Sequence, residues 1–433
     1  MANDDRLSAM LGARSIAVVG ASDRPRSFGE RLATEALRSP SAPQVHLVNR
    51  RRPQVLGHDC VASLADVPGP VDLVLLGVPD NMVVGQLETA ARRGDAGAVI
   101  FGSAHGLGAQ LRSAAGAMAL CGAGCMGFVN TATGVRAIGY IERHPLPTGS
   151  IALVTHSGSA FSALLRTHRR LEFSLVVSSG QELVTTAADY LTYALRLEET
   201  RVVGLLLETL RDVPRLRSAL RDAADRDIPV VALTVGGSPT GRAMVTAHSG
   251  ALAGDDAAWE ALFAAYGVHR AYDLDELADA LEAFAIGRRV RRPSGRQPGL
   301  ATVHDSGAER ALVADVADDV AVPFAQISTA TRDRLTDLLD EGLVGENPLD
   351  VWGSGADTAE LLTASMTALA DDESVGVVAL AVDLVPEYDA DTSYPDAVEA
   401  TLRRTDKPVL VLSNSAAAVD QEKAGRLRAL GVP

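Results

Sequence analysis

Residues 15–29 read SIAVVGASDRPRSFG, a short aliphatic strand that enters a glycine-bounded loop. A helical pattern follows from Glu30 to about Arg38. Further aliphatic strands, at 45–49, 71–77 and 97–101, alternate with helical stretches. This alternation predicts a parallel, doubly wound α/β sheet.

The same alternation continues through the rest of the chain. After a proline-containing link at 144–148, further strands are predicted at 150–154, 173–177, 202–207 and 230–235. Beyond a basic linker at 288–298, segment 301–307 matches 152–158, 375–382 echoes 202–207, and 408–412 echoes 230–235. We therefore predict an α/β protein with a Rossmann-like domain (1–143) and two flavodoxin-like doubly wound domains (144–290 and 298–433), and we hypothesise that the latter two arose by an ancestral duplication. Another strand is expected after Pro433, on this polypeptide or on another.

Composition narrows the classes of function. The net charge of −15 over 433 residues argues against nucleic acid as a partner, because phosphate backbones need a basic face. Three cysteines form no disulfide framework, and no apolar run reaches the length of a membrane span, so a soluble cytoplasmic protein is expected. Lys407 and Lys423 are the only lysines, which excludes a Walker-type loop from the first 400 residues.

The first loop favours a nucleotide that carries an extra phosphate. Its spacing, Gly20-x-Ser22 with the next glycine at Gly29, differs from the GxGxxG of dinucleotide sites. The second strand ends in Asn49 and three arginines, 50–52, where NAD enzymes place a carboxylate. Coenzyme A and NADP both fit this pattern, as does a solvated basic turn; the longer loop favours coenzyme A. Loops at 77–79, 102–106 and 122–127 are expected at the same edge of the sheet.

Residues 241–256, GRAMVTAHSGALAGDD, contain His248 between a predicted strand and a helical pattern that includes Trp259 and Phe263. This order predicts an imidazole beside a helix start, where backbone N–H groups favour an anion. Neutral histidine is a usable nucleophile near pH 7. A phosphoryl-accepting histidine and a histidine that merely caps the helix both agree with this segment.

Several of these segments match motifs of one enzyme family. They are Gly20, Ala21, Ser22, Pro25 and Gly29 (VGAS…P…G); Arg51 (a lysine in the family); Val78-Pro79 (VP); Cys125 with Gly127 (GPNCxG); Ser157-Gly158 (SQSG); 178–182 (SxGNE); 247–254 (SHTGxLAG); and 347–350 (NPxD). Over essentially all 433 residues the chain resembles the α-type portion of the NDP-forming acyl-CoA synthetases, relatives of succinyl-CoA synthetase.

The resemblance implies the reaction acid + CoA + NTP ⇌ acyl-CoA + NDP + phosphate, through an acyl phosphate and phosphorylated His248. Glu208, at the end of a predicted strand, falls where the family has a carboxylate, which would orient the imidazole as in a catalytic triad. Glu182 is a candidate for the acyl pocket, and His156 for contact with phosphate or substrate. The implied phosphate-binding residues are Ser157, Gly158, Ser249, Gly250, Ser306 and Gly307; those for coenzyme A are Gly20, Ala21, Ser22, Pro25, Arg51, Val78, Pro79, Ser103 and Cys125.

The implied partners are CoA, a small carboxylic acid and an ATP-grasp part, either a β-type subunit or a C-terminal continuation. ATP or ADP with Mg²⁺ is expected only through that part, and a homo- or hetero-oligomer is expected. No metal site is expected within this chain. The sequence departs from the family where GPNCxG loses its proline and asparagine and where His156 replaces the glutamine of SQSG. An NADP-linked oxidoreductase and a non-catalytic CoA-binding subunit remain alternatives.

Overall fold

The computed structural model describes residues 3–169, 171–249, 255–291, 298–352 and 358–433, without the side chains of 247–249. In this part of the chain, two compact units are formed, Met1–Ala285 (the first unit) and Ile286–Pro433 (the second unit). The first unit contains two seven-stranded sheets, and the second contains a four-stranded sheet. Helices alternate with mainly parallel strands throughout, so the predicted α/β class is confirmed.

The first sheet is doubly wound. Its strands are β1 (Ser15–Val19), β2 (Gln44–Val48), β3 (Gln54–Val55), β4 (His58–Val61), β5 (Leu73–Leu76), β6 (Gly97–Ile100) and β7 (Ala119–Gly122), and its helices are α1 (Asn3–Leu11), α2 (Phe28–Leu37), α3 (Asp80–Arg93) and α4 (Gly108–Ala115). The strand order is β3-β4-β2-β1-β5-β6-β7. Because β1 pairs in parallel with both β2 and β5, the order reverses there, and such a switch point is where doubly wound sheets bind ligands.

The second sheet also lies in the first unit. Its strands are β8 (Gly127–Asn130), β9 (Val135–Ile138), β10 (Thr148–Thr155), β11 (Phe173–Ser178), β12 (Val202–Leu207), β13 (Val230–Thr234) and β14 (His269–Ala271), and its helices are α5 (Gly158–Arg166), α6 (Ala187–Ala194), α7 (Val213–Asp225), α8 (Pro239–Ser249), α9 (Asp256–Tyr266) and α10 (Leu274–Ala285). The order is β14-β13-β12-β10-β11-β8-β9. All six residues of β12, VVGLLL, are buried, as expected of a strand covered on both faces.

The hairpin of β8 and β9 ties the two sheets of the first unit together. It precedes residue 144, yet β8 pairs antiparallel with β11, so it belongs to the second sheet by hydrogen bonding. A single hydrophobic core cluster contains residues of both sheets, from Leu7 to Phe263. Residues on the two sides of the predicted boundary therefore share one core.

The second unit repeats the plan of the second sheet. Its strands are β15 (Gly299–His304), β16 (Leu349–Asp350), β17 (Val375–Ala381) and β18 (Val409–Leu412), and its helices are α11 (Gly307–Asp319), α12 (Thr329–Thr336), α13 (Thr358–Asp371), α14 (Ser393–Leu402) and α15 (Gln421–Ala429). The order β16-β15-β17-β18 corresponds strand by strand to β11-β10-β12-β13. The two flavodoxin-like sheets of similar plan are thus confirmed. No helix in the described ranges is long and apolar enough to span a bilayer.

Candidate active site

Backbone loops meet closely at the carboxyl edge of the first sheet. A Cβ atom on Gly20 would lie 2.4 Å from the carbonyl oxygen of Gly77, and one on Gly29 would lie 2.1 Å from the carbonyl oxygen of Gly20. Gly20 also has φ of +92°, which favours glycine. The loops after β1 and β5 therefore require glycine for their approach, and this brings Ala21 and Ser22 near Val78 and Pro79.

Asn49, which was not among the predicted site residues, organises the basic turn after β2. Its Nδ2 donates to the carbonyl oxygen of Ala21 over 2.8 Å, and its Oδ1 accepts from the backbone N–H groups of Arg51 (2.9 Å) and Arg52 (3.0 Å). Arg52 also forms an ion pair of 2.6 Å with Asp23. The Arg51 guanidinium is exposed and has no partner among the described residues, so it is available to an anion.

The remaining residues predicted for coenzyme A fall into exposed and buried groups. Pro25 and Ser103 are exposed, and Pro79 directly precedes α3. Cys125 is 5% exposed, and its thiol donates to the carbonyl oxygen of Ile100 over 3.3 Å. Burial holds the pKa of the Cys125 thiol well above its usual range. The side chain of Cys125 is therefore part of the core, and a ligand can reach this segment only through its backbone.

In the second sheet, Ser157 and Gly158 lie at the start of α5, directly after β10. The Ser157 hydroxyl accepts from the N–H of Ala160 over 3.2 Å and caps the helix. A Cβ atom on Gly158 would lie 2.7 Å from Cγ of Met126. These residues form a helix N-terminus at the carboxyl edge of the sheet, with the partial positive charge that such a position carries.

His156, Glu182 and Ser179 form a buried hydrogen-bonded cluster beside this helix start. Nε2 of His156 lies 2.9 Å from Oε1 of Glu182, which also accepts from the Ser179 hydroxyl over 2.9 Å. Nδ1 of His156 accepts from the backbone N–H of Glu208 over 3.0 Å. Glu208 follows β12, as predicted, and the cluster places its backbone next to His156.

The loop that carries Glu182 also reaches the edge of the first sheet. Gln181 donates from Nε2 to the carbonyl oxygen of Ser103 over 2.8 Å and from its backbone to the carbonyl oxygen of Ala123 over 2.9 Å. A Cβ atom on Gly180 would lie 2.3 Å from that same oxygen of Ala123. The carboxyl edges of the two sheets are thus joined by direct contacts.

The helix predicted after His248, which carries Trp259 and Phe263, is confirmed, but a helix that was not predicted precedes it and includes His248. Helix α8 runs from Pro239 to Ser249, and the next helix begins at Asp256. Proline is favoured in a first helical turn because its missing N–H needs no partner there, and the hydroxyl of Ser238 accepts from the N–H of Gly241 over 3.0 Å. The prediction that Ser249 and Gly250 open a helix is therefore wrong for Ser249, which ends one.

The immediate surroundings of the histidine are not described. The side chains of His248 and Ser249 and the whole of Gly250 lie outside the described residues. The cap of α9 is a carboxylate, whose negative charge opposes a phosphate: Asp255 accepts from the N–H groups of Ala257 (3.0 Å) and Ala258 (3.2 Å), whereas the cap of α5 is the neutral hydroxyl of Ser157. The helix start at Ser157 is consequently the better candidate for a bound phosphate in the first unit.

Ser306 and Gly307, as predicted, form the start of a helix in the second unit. The Ser306 hydroxyl caps α11. A Cβ atom on Gly307 would lie 3.0 Å from a carboxylate oxygen of Asp350. Desolvation, together with Asp383 and Asp305, raises the pKa of nearby Glu309. Carboxylates therefore lie close to this helix start, and their negative charge opposes a phosphate there.

Models of two domain families match the chain. A CoA binding domain matches residues 14–131, and a succinyl-CoA ligase like flavodoxin domain matches residues 148–284. These ranges contain the two carboxyl edges described above.

Curated proteins similar to the chain are CoA ligases. A trans-feruloyl-CoA synthase from an unknown prokaryotic organism is 28% identical over 100% of this chain and 63% of its own length. The ADP-forming acetate–CoA ligase I of Archaeoglobus fulgidus is 30% identical over 84% of this chain and 53% of its own length. The chain thus spans less than two thirds of either relative. The alpha subunit of the ADP-forming acetate–CoA ligase II of Pyrococcus furiosus is 26% identical, over 92% of this chain and 88% of the subunit.

Solved structures share the fold. An acetyl-coenzyme A synthetase from Ca. Korarchaeum cryptofilum, solved with phosphate and ADP, superposes with a TM-score of 0.85 at 19% identity, covering 98% of this chain and 92% of that one. A Pyrococcus horikoshii protein superposes with a TM-score of 0.82 at 22% identity, covering 99% of this chain and 94% of that one. At these identities the likeness establishes the architecture alone.

Proposed function

The chain belongs to the NDP-forming acyl-CoA synthetase family, and we propose that it is the α-type part of such an enzyme, joining a small carboxylic acid to coenzyme A. In this proposal the first unit carries the thioester chemistry and a phosphorylated His248. ATP or ADP with Mg²⁺ binds to an ATP-grasp part, supplied by a β-type subunit or by a C-terminal continuation.

Coenzyme A is assigned to the carboxyl edge of the first sheet. The close loops at Gly20 and Gly77 allow a pyrophosphate to approach the backbone. The exposed guanidinium of Arg51 is held near this edge by the Asn49 turn and suits the additional phosphate of CoA. The exposed Ser103 completes this side of the site.

The reaction is proposed in two steps, written from the thioester. An oxygen of phosphate attacks the acyl carbon, the C–S bond breaks, and CoA leaves as a thiolate that takes up a proton. The lone pair of a His248 nitrogen then attacks phosphorus, the bond from phosphorus to the acyl oxygen breaks, and the carboxylate is released. The hydrogen on the other ring nitrogen stays in place and is donated to the Glu208 carboxylate.

Phosphate is assigned to the start of α5. Ser157 and Gly158 provide a helix N-terminus at the carboxyl edge of the second sheet, next to the His156 and Glu208 contact. The observation that carries the proposal is the link from Gln181 to Ser103, which joins this edge to the proposed CoA site within one compact unit. A CoA thioester bound at one edge and a phosphoryl acceptor at the other can then both lie close to the same acyl group.

The test is labelling of the purified chain with radioactive phosphate in the presence of acetyl-CoA, 4-hydroxybutyryl-CoA or feruloyl-CoA. We expect an acid-labile, base-stable label on the wild type and on a His168→Ala control, whose histidine is exposed, and none on His248→Ala. The thioester that supports the fastest labelling identifies the acid.

Two alternatives predict different outcomes, one in a binding experiment and the other in this labelling test. The arginine turn also suits NADP, and a chain that binds NADP but not CoA in calorimetry contradicts the proposal. A chain that binds CoA tightly, yet remains unlabelled with every thioester, is instead a non-catalytic CoA-binding subunit. Radioactive ATP is expected to label the chain only when an ATP-grasp protein is added.

A further inference from the structure

We propose that His156 is a positioning residue of the phosphoryl-transfer site, which holds the backbone of Glu208 and the carboxylate of Glu182 in a fixed relation. The inference rests on the proposed function, in which Glu208 orients the phosphorylated histidine. It concerns a residue at which the sequence departs from the SQSG motif, where a glutamine is expected.

Both ring nitrogens of the His156 imidazole are hydrogen-bonded. It follows β10, is 6% exposed, and bonds the N–H of Glu208 through Nδ1 at 3.0 Å and Oε1 of Glu182 through Nε2 at 2.9 Å. Its own backbone N–H donates to the carbonyl oxygen of Leu206 over 3.0 Å. The ring is therefore fixed between the end of β12 and the loop after β11.

These partners determine the tautomer. A backbone N–H can only donate, so Nδ1 must carry a lone pair, and the ring hydrogen must be on Nε2, where it is donated to Glu182. Because neither nitrogen is left to attack a phosphoryl group, His156 is not an acceptor. Its effect is on Glu208, whose backbone direction at the end of β12 determines where the carboxylate can reach.

Glu182 is the second group that the ring holds. Its backbone lies in the left-handed region at φ of +52°, and the side chain is 2% exposed. Oε1 accepts from both His156 and Ser179, whereas Oε2 has no partner among the described residues. A non-glycine residue held in this conformation is commonly found at functional sites. The ring, together with Ser179, thus holds the Glu182 carboxylate in place through Oε1.

Glutamine can reproduce both bonds, because its amide combines one acceptor with a donor. Leucine can make neither. We therefore compare His156→Gln and His156→Leu, with His168→Leu as the matched change at an exposed histidine. The readout is the initial rate of His248 labelling with radioactive phosphate and the best thioester, alongside thermal unfolding of each variant.

We expect His156→Leu to label roughly 10- to 100-fold more slowly, since a displacement of about 1 Å at a reacting group can cost about 100-fold. His156→Gln is expected to remain within about threefold of the wild type. A His156→Leu variant that labels at the wild-type rate overturns the positioning role alone. A wild type without label overturns the proposed function and this role with it.

A second measurement does not depend on turnover or on the folding of a variant. Long-range nitrogen–proton spectra of wild-type protein labelled with ¹⁵N-histidine report the tautomer of each ring, and the His156→Gln spectrum identifies the His156 signals. A hydrogen on Nε2 of His156 near neutral pH supports the bridge. A hydrogen on Nδ1, or a ring that averages between tautomers, overturns it.

Discussion

Arg136 on β9 donates from Nε to Oε2 of Glu35 on α2 over 2.7 Å, and the two side chains are only 2% and 0% exposed. The pair connects a strand of the second sheet to a helix of the first sheet. Besides this ion pair, the two sheets share one hydrophobic core. The pair therefore contributes, with that core, to holding together the two sheets whose carboxyl edges form the proposed site.

Glu35→Gln is expected to destabilise the first unit by about 3–5 kcal/mol, because it leaves the buried Arg136 cation without its counter-charge. Urea unfolding followed by circular dichroism measures the loss. Arg38→Ala is the matched control, since Arg38 bonds the same carboxylate at 3.1 Å but is 30% exposed. It should cost less than about 1 kcal/mol. Equal losses for the two variants contradict the assignment of the stabilisation to Arg136.

Arg51→Gln is expected to weaken CoA binding about 5- to 10-fold while leaving 3′-dephospho-CoA unaffected, because an exposed guanidinium contributes mainly charge-assisted bonds to a phosphate. Calorimetry with both ligands at low and high salt measures the difference. Arg52→Gln is the matched control. Its guanidinium is already paired with Asp23 at 2.6 Å, so we expect a smaller change. If both ligands lose affinity equally, Arg51 does not contact the additional phosphate.

Ser157→Ala and Ser306→Ala each remove a helix cap and should each cost about 1 kcal/mol of stability. Their effects on His248 labelling should differ. We expect roughly tenfold slower labelling for Ser157→Ala and less than a twofold change for Ser306→Ala, since carboxylates such as Asp350 lie beside the second cap. Slower labelling in Ser306→Ala instead supports the phosphate role that the resemblance implies for Ser306 and Gly307.

His304 should make the second unit less stable in acid. Burial lowers its pKa from 6.5 to about 4, so the unfolded chain binds a proton that the folded unit does not. Above pH 6.5 His304 is neutral in both states and the free energy of unfolding is not reduced. As pH falls from 6.5 toward 4, the free energy of unfolding decreases by about 2–3 kcal/mol. Unfolding in urea between these pH values measures it. His304→Asn should flatten this part of the pH profile, and an unchanged slope contradicts the prediction.

Much of the fold follows from local patterns in the sequence. Aliphatic runs such as Val202–Leu207 are strands because both faces of the sheet are covered, and the loop from Gly20 to Gly29 lies where the spacing predicted it. The helix over 239–249 was not predicted. Its proline and glycine lower helix propensity, but Pro239 falls in the first turn, where proline is tolerated.

The sequence by itself determined the alternation of strands and helices, the repeated flavodoxin-like plan and the glycine loops, because these depend on neighbouring residues and on the period of burial. The tertiary structure alone decided that Asn49 holds the arginine turn, that the β8–β9 hairpin joins the second sheet, and that His156 meets Glu208, 52 residues away. These contacts depend on where separate strands end in space. No local pattern encodes that distance.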